Sequence, residues 1–167
     1  RIVVTGPTRE AALATTDAIE RILRAAEGEL STWIAGSELD RFNRMPLGHG
    51  VALSAHLDAD LERALDCAAA TGGAFDPTIG ALTRAWDLRG RGRVPREEEL
   101  ANARGRAGWR HLTHDGGVWK RHREVIVDEG GFGKGAALDR VRTRSTDLTG
   151  HRVLVDLGGQ LLLVDSD

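Results

Sequence analysis

Apolar and polar positions follow two different periods along this chain. Residues 1–5 (Arg-Ile-Val-Val-Thr) are rich in β-branched side chains and predict a short strand, closed by Gly6-Pro7. Thr8 can cap a helix reaching about Glu27, on which Leu13, Ile19, Ile22, Leu23 and Ala26 recur near helical spacing. Ser54 is the next good N-cap. Behind it Leu57, Leu61, Ala64, Leu65 and Ala68 form one apolar stripe, and Gly72-Gly73 ends that helix. Pro95 precedes a short acidic-headed helix from Arg96 to about Ala103.

Beyond that helix the period shortens. Residues 109–113, 118–120 and 124–127 predict strands, joined by turns at Asp115-Gly-Gly117 and near His122. A glycine-rich loop at 129–135 leads into a helix carrying Ala136, Ala137, Leu138 and Val141. Strands at 152–157 and 161–164 then flank Gly158-Gly159. Helices and strands come in blocks, which predicts an α+β fold rather than a doubly wound sheet. One domain over residues 1–167 is expected, and the hairpin-like element ending at Asp165-Ser-Asp167 reads as part of something longer.

Composition narrows the functional classes. A chain of 167 residues can bury one real core. Its net charge of −2, with acids and bases interspersed, argues against a general nucleic-acid binder, which presents a strongly basic face. Two basic clusters, Arg89-Arg91-Arg93 and Lys120-Arg121-Arg123, read as solvated loops. No apolar run approaches the ~20 residues of a membrane helix, and no signal peptide precedes the opening strand, which leaves the compartment undetermined. Cys67 is the sole cysteine, so no internal disulfide is possible; inside a helical run it reads as a small buried thiol. The six histidines lack HExxH or zinc-ligand spacing, and His111 and His114, beside a turn, read as exposed.

Three stretches remain as candidate chemistry. Gly130-Gly-Phe-Gly-Lys-Gly135 is a turn whose backbone N–H groups can approach an anion, with Lys134 as a point charge for a phosphate or a partner for Asp128. It is not a Walker A loop, because Gly135 stands where Ser or Thr is required, and no βαβ unit surrounds it. In Thr71-Gly-Gly-Ala-Phe-Asp-Pro-Thr-Ile-Gly80, Pro77 forces extended geometry on Asp76, which either caps the following segment or faces a ligand. The third stretch, Glu29-Leu-Ser-Thr-Trp33 with Ser37-Glu-Leu-Asp-Arg-Phe-Asn43, offers Trp33 for core packing or for stacking on a ring system. Its Ser37 and Asp40 stand at capping-box spacing.

Taken in order, these stretches resemble the signature blocks of the ApbE-type FAD:protein FMN transferases, in the N-terminal part of that domain. Ser31-Thr-Trp33 with Ser37–Asn43, Thr71–Gly80 with Trp86, Val127–Gly135 through Asp139-Arg140, and Leu154-Val-Asp-Leu-Gly-Gly159 match four blocks across nearly the whole chain. The resemblance implies an α+β sheet-and-helix scaffold, similar to the tunnelling fold and C-terminally incomplete here. It implies that Trp33, Ala74, Phe75, Asp76, Asp128 and Lys134 line an FAD site, and that the Gly131 carbonyl binds Mg²⁺. It departs from the family at Glu129, where an apolar residue is usual and a buried carboxylate must be paired, and at Gln160, where Asp is common.

The implied reaction is Mg²⁺-dependent transfer of FMN from FAD to a Ser or Thr hydroxyl of a client protein, with release of AMP. FAD is then a donor substrate. No catalytic residue is expected in this chain, because the family's acceptor-activating histidine and metal-binding Asp/Thr segment follow later. Alternatives on the same scaffold are an FAD pyrophosphatase and a non-catalytic flavin-binding protein. Family members are often extracytoplasmic and membrane-anchored, and others are cytoplasmic.

Overall fold

The computed structural model describes residues 1–143 and 150–165; the end of the chain at Ser166 and Asp167, part of the expected terminal element, lies outside the described residues. Contacts divide the chain into two units, residues 1–29 with 132–167, and residues 30–131.

The first unit is a sheet covered by helices. β1 (Ile2–Thr5), β4 (Arg152–Leu157) and β5 (Gln160–Asp165) form an antiparallel sheet in the order β1-β4-β5, with Val4 opposite Val153 and Val155 opposite Leu162. The period-2 alternation sends Val153 and Val155 inward, with Ile2, Val4, Leu162 and Val164, onto Ile19 of α1 (Arg9–Leu30) and Leu138 and Val141 of α6 (Gly133–Thr143). Successive residues point the other way, which leaves Leu161 and Leu163 exposed. Thr8 caps α1 as expected, its Oγ1 accepting from Ala11 N at 3.1 Å. Leu13 does not join the buried stripe, which opens at Thr15 and continues through Ile19 and Ala26. Arg140, buried on α6, donates to Glu29 at 2.8 Å.

The second unit is mostly helical: α2 (Glu38–Arg44), α3 (Ala55–Ala70), α4 (Gly80–Ala85) and α5 (Glu97–Gly105), with the hairpin β2 (Leu112–Asp115) and β3 (Val118–Arg121). Ser54 caps α3, and Leu57, Leu61, Ala64 and Ala68 are buried along it as predicted. Ser37 caps α2 through Asp40 N at 3.0 Å, while the Asp40 carboxylate accepts from Gly36 N and Arg44 Nε instead of closing a capping box.

Several expectations fail here for identifiable reasons. Residues 109–111 form a 3-10 turn, and the strand expected at 124–127 is an exposed bend at Glu124 followed by three buried residues with one isolated bridge, Ile126 to Ile79. Its polar groups go elsewhere: Asn43 receives Val127 N–H and donates to its carbonyl, and Arg121 donates to Val125 O at 2.9 Å. Arg121 is therefore buried, with its guanidinium 5.9 Å from the Phe42 ring centroid, and burial pushes its pKa down against a partial offset from Glu124. Cys67 lies one step outside the buried arc of α3 and is exposed. His114 is half-buried, stacked on Trp119.

Candidate functional site

The 71–80 segment is tied down before it can present anything. Gly72 and Gly73 take φ of 62° and 86°, a region open to glycine, and Thr71 Oγ1 accepts from Phe75 N at 3.1 Å. Asp76 then uses both carboxylate oxygens. Oδ1 accepts from Thr78 N at 2.8 Å and Thr78 Oγ1 at 2.6 Å, and Oδ2 accepts from Trp109 N at 3.1 Å. The capping alternative is thus realised, but on the turn after Pro77 and not on α4 itself, whose N-cap Ile79 has no side-chain bond. Pro77 O accepts from Asp128 N at 2.8 Å and Gly80 N donates to Ile126 O at 3.0 Å, so two sequence-distant blocks run side by side.

That pairing brings Phe75 to Gly131. A Cβ placed on Gly131 would lie 2.9 Å from Phe75 Cε2, so any side chain there must push the half-buried Phe75 ring aside, while the φ of Gly131 itself is ordinary. Ala74 is exposed and Phe75 half-buried. Asp128 is buried. Its Oδ1 accepts from Gly130 N at 2.9 Å and its Oδ2 from Arg89 Nη2 at 3.0 Å. Arg89 also donates to Thr32 O at 3.0 Å and to Thr32 Oγ1, and its Cζ stands 4.9 Å from the Trp33 ring centroid. Glu129 completes the cluster, accepting from Thr32 N and Thr32 Oγ1 and lying 3.7 Å from Arg89. The carboxylate expected to need pairing is paired.

Trp33 does not pack into the core: it is 65% exposed, with the Arg89 guanidinium over its ring. Arg89 was expected in a solvated loop and is instead the cation of Asp128. Lys134 belongs to the other unit. It sits exposed in the first turn of α6, which starts at Gly133 and shortens the expected loop, and its Nζ would be 3.4 Å from a Cβ on Gly158. Within residues 30–131 the structure thus gathers Trp33, Asp128, Phe75 and Gly131 around Thr32, Arg89 and Glu129, with Asp76 bracing the loop.

The chemistry of the gathered groups is specific. An exposed indole with a guanidinium over one face suits a flat ring, with negative charge nearby, on the other. The main chain at Gly131 is exposed and offers an oxygen donor of the kind that Mg²⁺ prefers. Asp128, already held by Arg89 and Gly130, is committed to shaping the loop.

The family model of the ApbE family matches residues 1–167. The chain belongs to the ApbE family. It is 30% identical over 149 residues to the FAD:protein FMN transferase of Vibrio cholerae serotype O1, covering 87% of this chain and 45% of that protein. It is 28% identical over 156 residues to the Haemophilus influenzae FAD:protein FMN transferase, covering 88% of this chain and 45% of that one. The solved structure of the Thermotoga maritima ApbE protein superposes with a TM-score of 0.87 at 28% identity, covering 98% of this chain and 54% of that chain. Apo flavinyl transferase ApbE from Pseudomonas stutzeri gives 0.83 at 27% identity, covering 98% and 58%. The chain spans about half the length of the ApbE relatives it matches.

Within this ApbE chain, sequence reading missed Arg89 and Thr32. The only available signals were that Thr32 adjoins Trp33 and that Arg89 follows three residues after Trp86, where the second block ends.

Proposed function

We propose that this chain is the flavin-binding part of a Mg²⁺-dependent FAD:protein FMN transferase. A Ser or Thr hydroxyl oxygen of a client protein attacks the FMN-side phosphorus of FAD. The bond to the bridging oxygen breaks, AMP leaves with that electron pair, and FMN stays attached through a phosphoester. Such transfer depends on positioning and charge neutralisation more than on an enzyme nucleophile, and none is assigned in this chain; the base taking the hydroxyl proton is expected outside these residues.

The observation that carries the reading is the exposed Trp33 indole with the Arg89 guanidinium, itself held by Asp128, over one face and the other face left for a ligand ring. Trp33 would stack on a ring of FAD, Ala74 and Phe75 would border it, and Asp76 and Asp128 would hold their loops in shape. Lys134 would supply positive charge to phosphate. Mg²⁺ fits the exposed main chain at Gly131 as a hard-oxygen donor, and one carbonyl leaves most of an octahedral shell to phosphate, water and residues outside this chain. When bound, the ion would neutralise charge on the pyrophosphate.

The test is titration of the full-length protein with FAD, followed by tryptophan fluorescence. Trp33→Ala should remove most of the quenching while Trp86, Trp109 and Trp119 still emit. Equal quenching in both proteins overturns the stacking role. Incubation with a client and Mg²⁺ should yield FMN that stays with the client after denaturation; free FMN alone would instead identify a pyrophosphatase, and binding without either product a flavin-binding protein.

A further inference from the structure

α3 and the β2–β3 hairpin gather three metal-ligating side chains that the flavin reading does not use. Asp58 and Glu62 stand one helical turn apart on α3 and share a face. His114 comes from β2. One donor atom from each lies within 4.8 Å of the other two.

The imidazole is held in place. It stacks on Trp119 with ring centroids 4.5 Å apart and planes 11° from parallel, and Trp119 is itself wholly buried. The Trp119 indole N–H donates to Asp58 Oδ1 at 2.6 Å, so one side chain orients both neighbours. That is the kind of outer support that fixes metal ligands. His114 Nδ1 is 2.9 Å from Glu62 Oε1. Nε2 is buried and makes no hydrogen bond, although Asp58 Oδ1 lies 3.1 Å away, because the two are not aligned for one. A cation held at Nε2 would use the Asp58 contact nearly as it stands, and Glu62, which lies against the other ring nitrogen, would swing its exposed carboxylate across to join them. Among the described residues neither carboxylate has an ion pair with a lysine or arginine.

We propose that Asp58, Glu62 and His114 form a three-ligand site for a divalent transition cation of the zinc class. The imidazole nitrogen is what selects this class, since carboxylates alone would suit magnesium or calcium. Glu62, whose side chain is 52% exposed, closes the site on the solvent side and leaves a position for water. The ion would pin α3 to the hairpin.

The test uses untagged full-length protein stripped of metal. Cobalt(II), as a coloured stand-in, should give visible absorption at one ion per site that zinc displaces, and zinc should raise the melting temperature at neutral pH. Glu62→Gln, on an exposed side chain, should fold normally and weaken zinc binding at least ~10-fold, and His114→Ala should abolish the cobalt spectrum. No cobalt spectrum in the wild-type protein, or unchanged zinc affinity in both variants, overturns the site. Stabilisation at low pH without any metal effect would mean that the cluster is an imidazolium held between carboxylates only. FAD binding measured on the same samples keeps this outcome separate from the flavin reading.

Discussion

Arg89 Nη2 lies 3.0 Å from Asp128 Oδ2, joining residues that are 39 positions apart in the chain. The same guanidinium flanks Trp33 and bonds Thr32, so one cation organises the whole cluster. Arg89→Ala would leave a buried Asp128 with only the Gly130 N–H. Allowing for the partial exposure of Arg89, the expected loss is about 2–3 kcal/mol in urea unfolding. Arg89→Lys should recover only part of it, because a single ammonium cannot span Thr32 and Asp128 together.

Two glycines should respond in opposite directions to alanine. A Cβ on Gly80 would meet Ile126 Cγ2 at 2.6 Å and the Ile126 carbonyl at 2.9 Å, where backbone must give way. Gly80→Ala should destabilise by about 1–3 kcal/mol. Gly135 has nothing within 4 Å and lies inside α6, so Gly135→Ala should be neutral or stabilise by up to ~1 kcal/mol through helix propensity. Chemical denaturation of both variants decides.

Among the tryptophans, exposure sets the stability cost. Trp33→Ala, at 65% exposure, should change stability by less than about 0.5 kcal/mol. Trp119→Ala should cost about 3–5 kcal/mol, since that side chain is wholly buried and bonds Asp58. Thermal unfolding of the pair checks the contrast.

Gly131→Val meets the Phe75 ring before any metal is involved. The variant should shift Phe75 and, if the proposed carbonyl ligation holds, raise the Mg²⁺ concentration needed for FMN transfer by the full-length protein. Gly131→Val with Phe75→Ala should recover much of the fold. Transfer that continues in EDTA, with metal content verified as negligible, would remove Mg²⁺ from the mechanism.

Asp40 gives a pH signature. The Gly36 N–H, and then the Arg44 guanidinium, hold its carboxyl below the usual carboxylate range. A depressed folded pKa means the contribution is complete above the unfolded value of about 4 and fades as pH falls toward the folded one. Asp40→Asn should therefore be less stable than wild type at neutral pH, with the gap closing below about pH 4. A gap that stays constant down to acid unfolding would contradict this.

The long helices α1 and α3 were legible because period and cap agree at Thr8 and Ser54. Residues 124–127 were not, because a β-branched run signals burial and extension but not who receives its hydrogen bonds; here Asn43, 84 positions away, and the buried guanidinium of Arg121, four positions away, take them. Arg89 and Arg121 were misread for the same reason. A cluster of arginines looks solvated unless one knows which buried acceptors the fold brings under each guanidinium. Cys67 shows the opposite limit, since one position of rotation around α3 separates its exposed place from buried Ala68.

That exposed sulfur makes α3 addressable by chemistry. With a single thiol in the sequence, on the surface, a maleimide dye attaches at one defined position without any engineered cysteine. The label would sit in the last turns of the helix whose opening turns carry Asp58 and Glu62. The same nucleophilic surface atom also lets two chains couple through oxygen exposure during storage, so handling under reductant is the corresponding requirement.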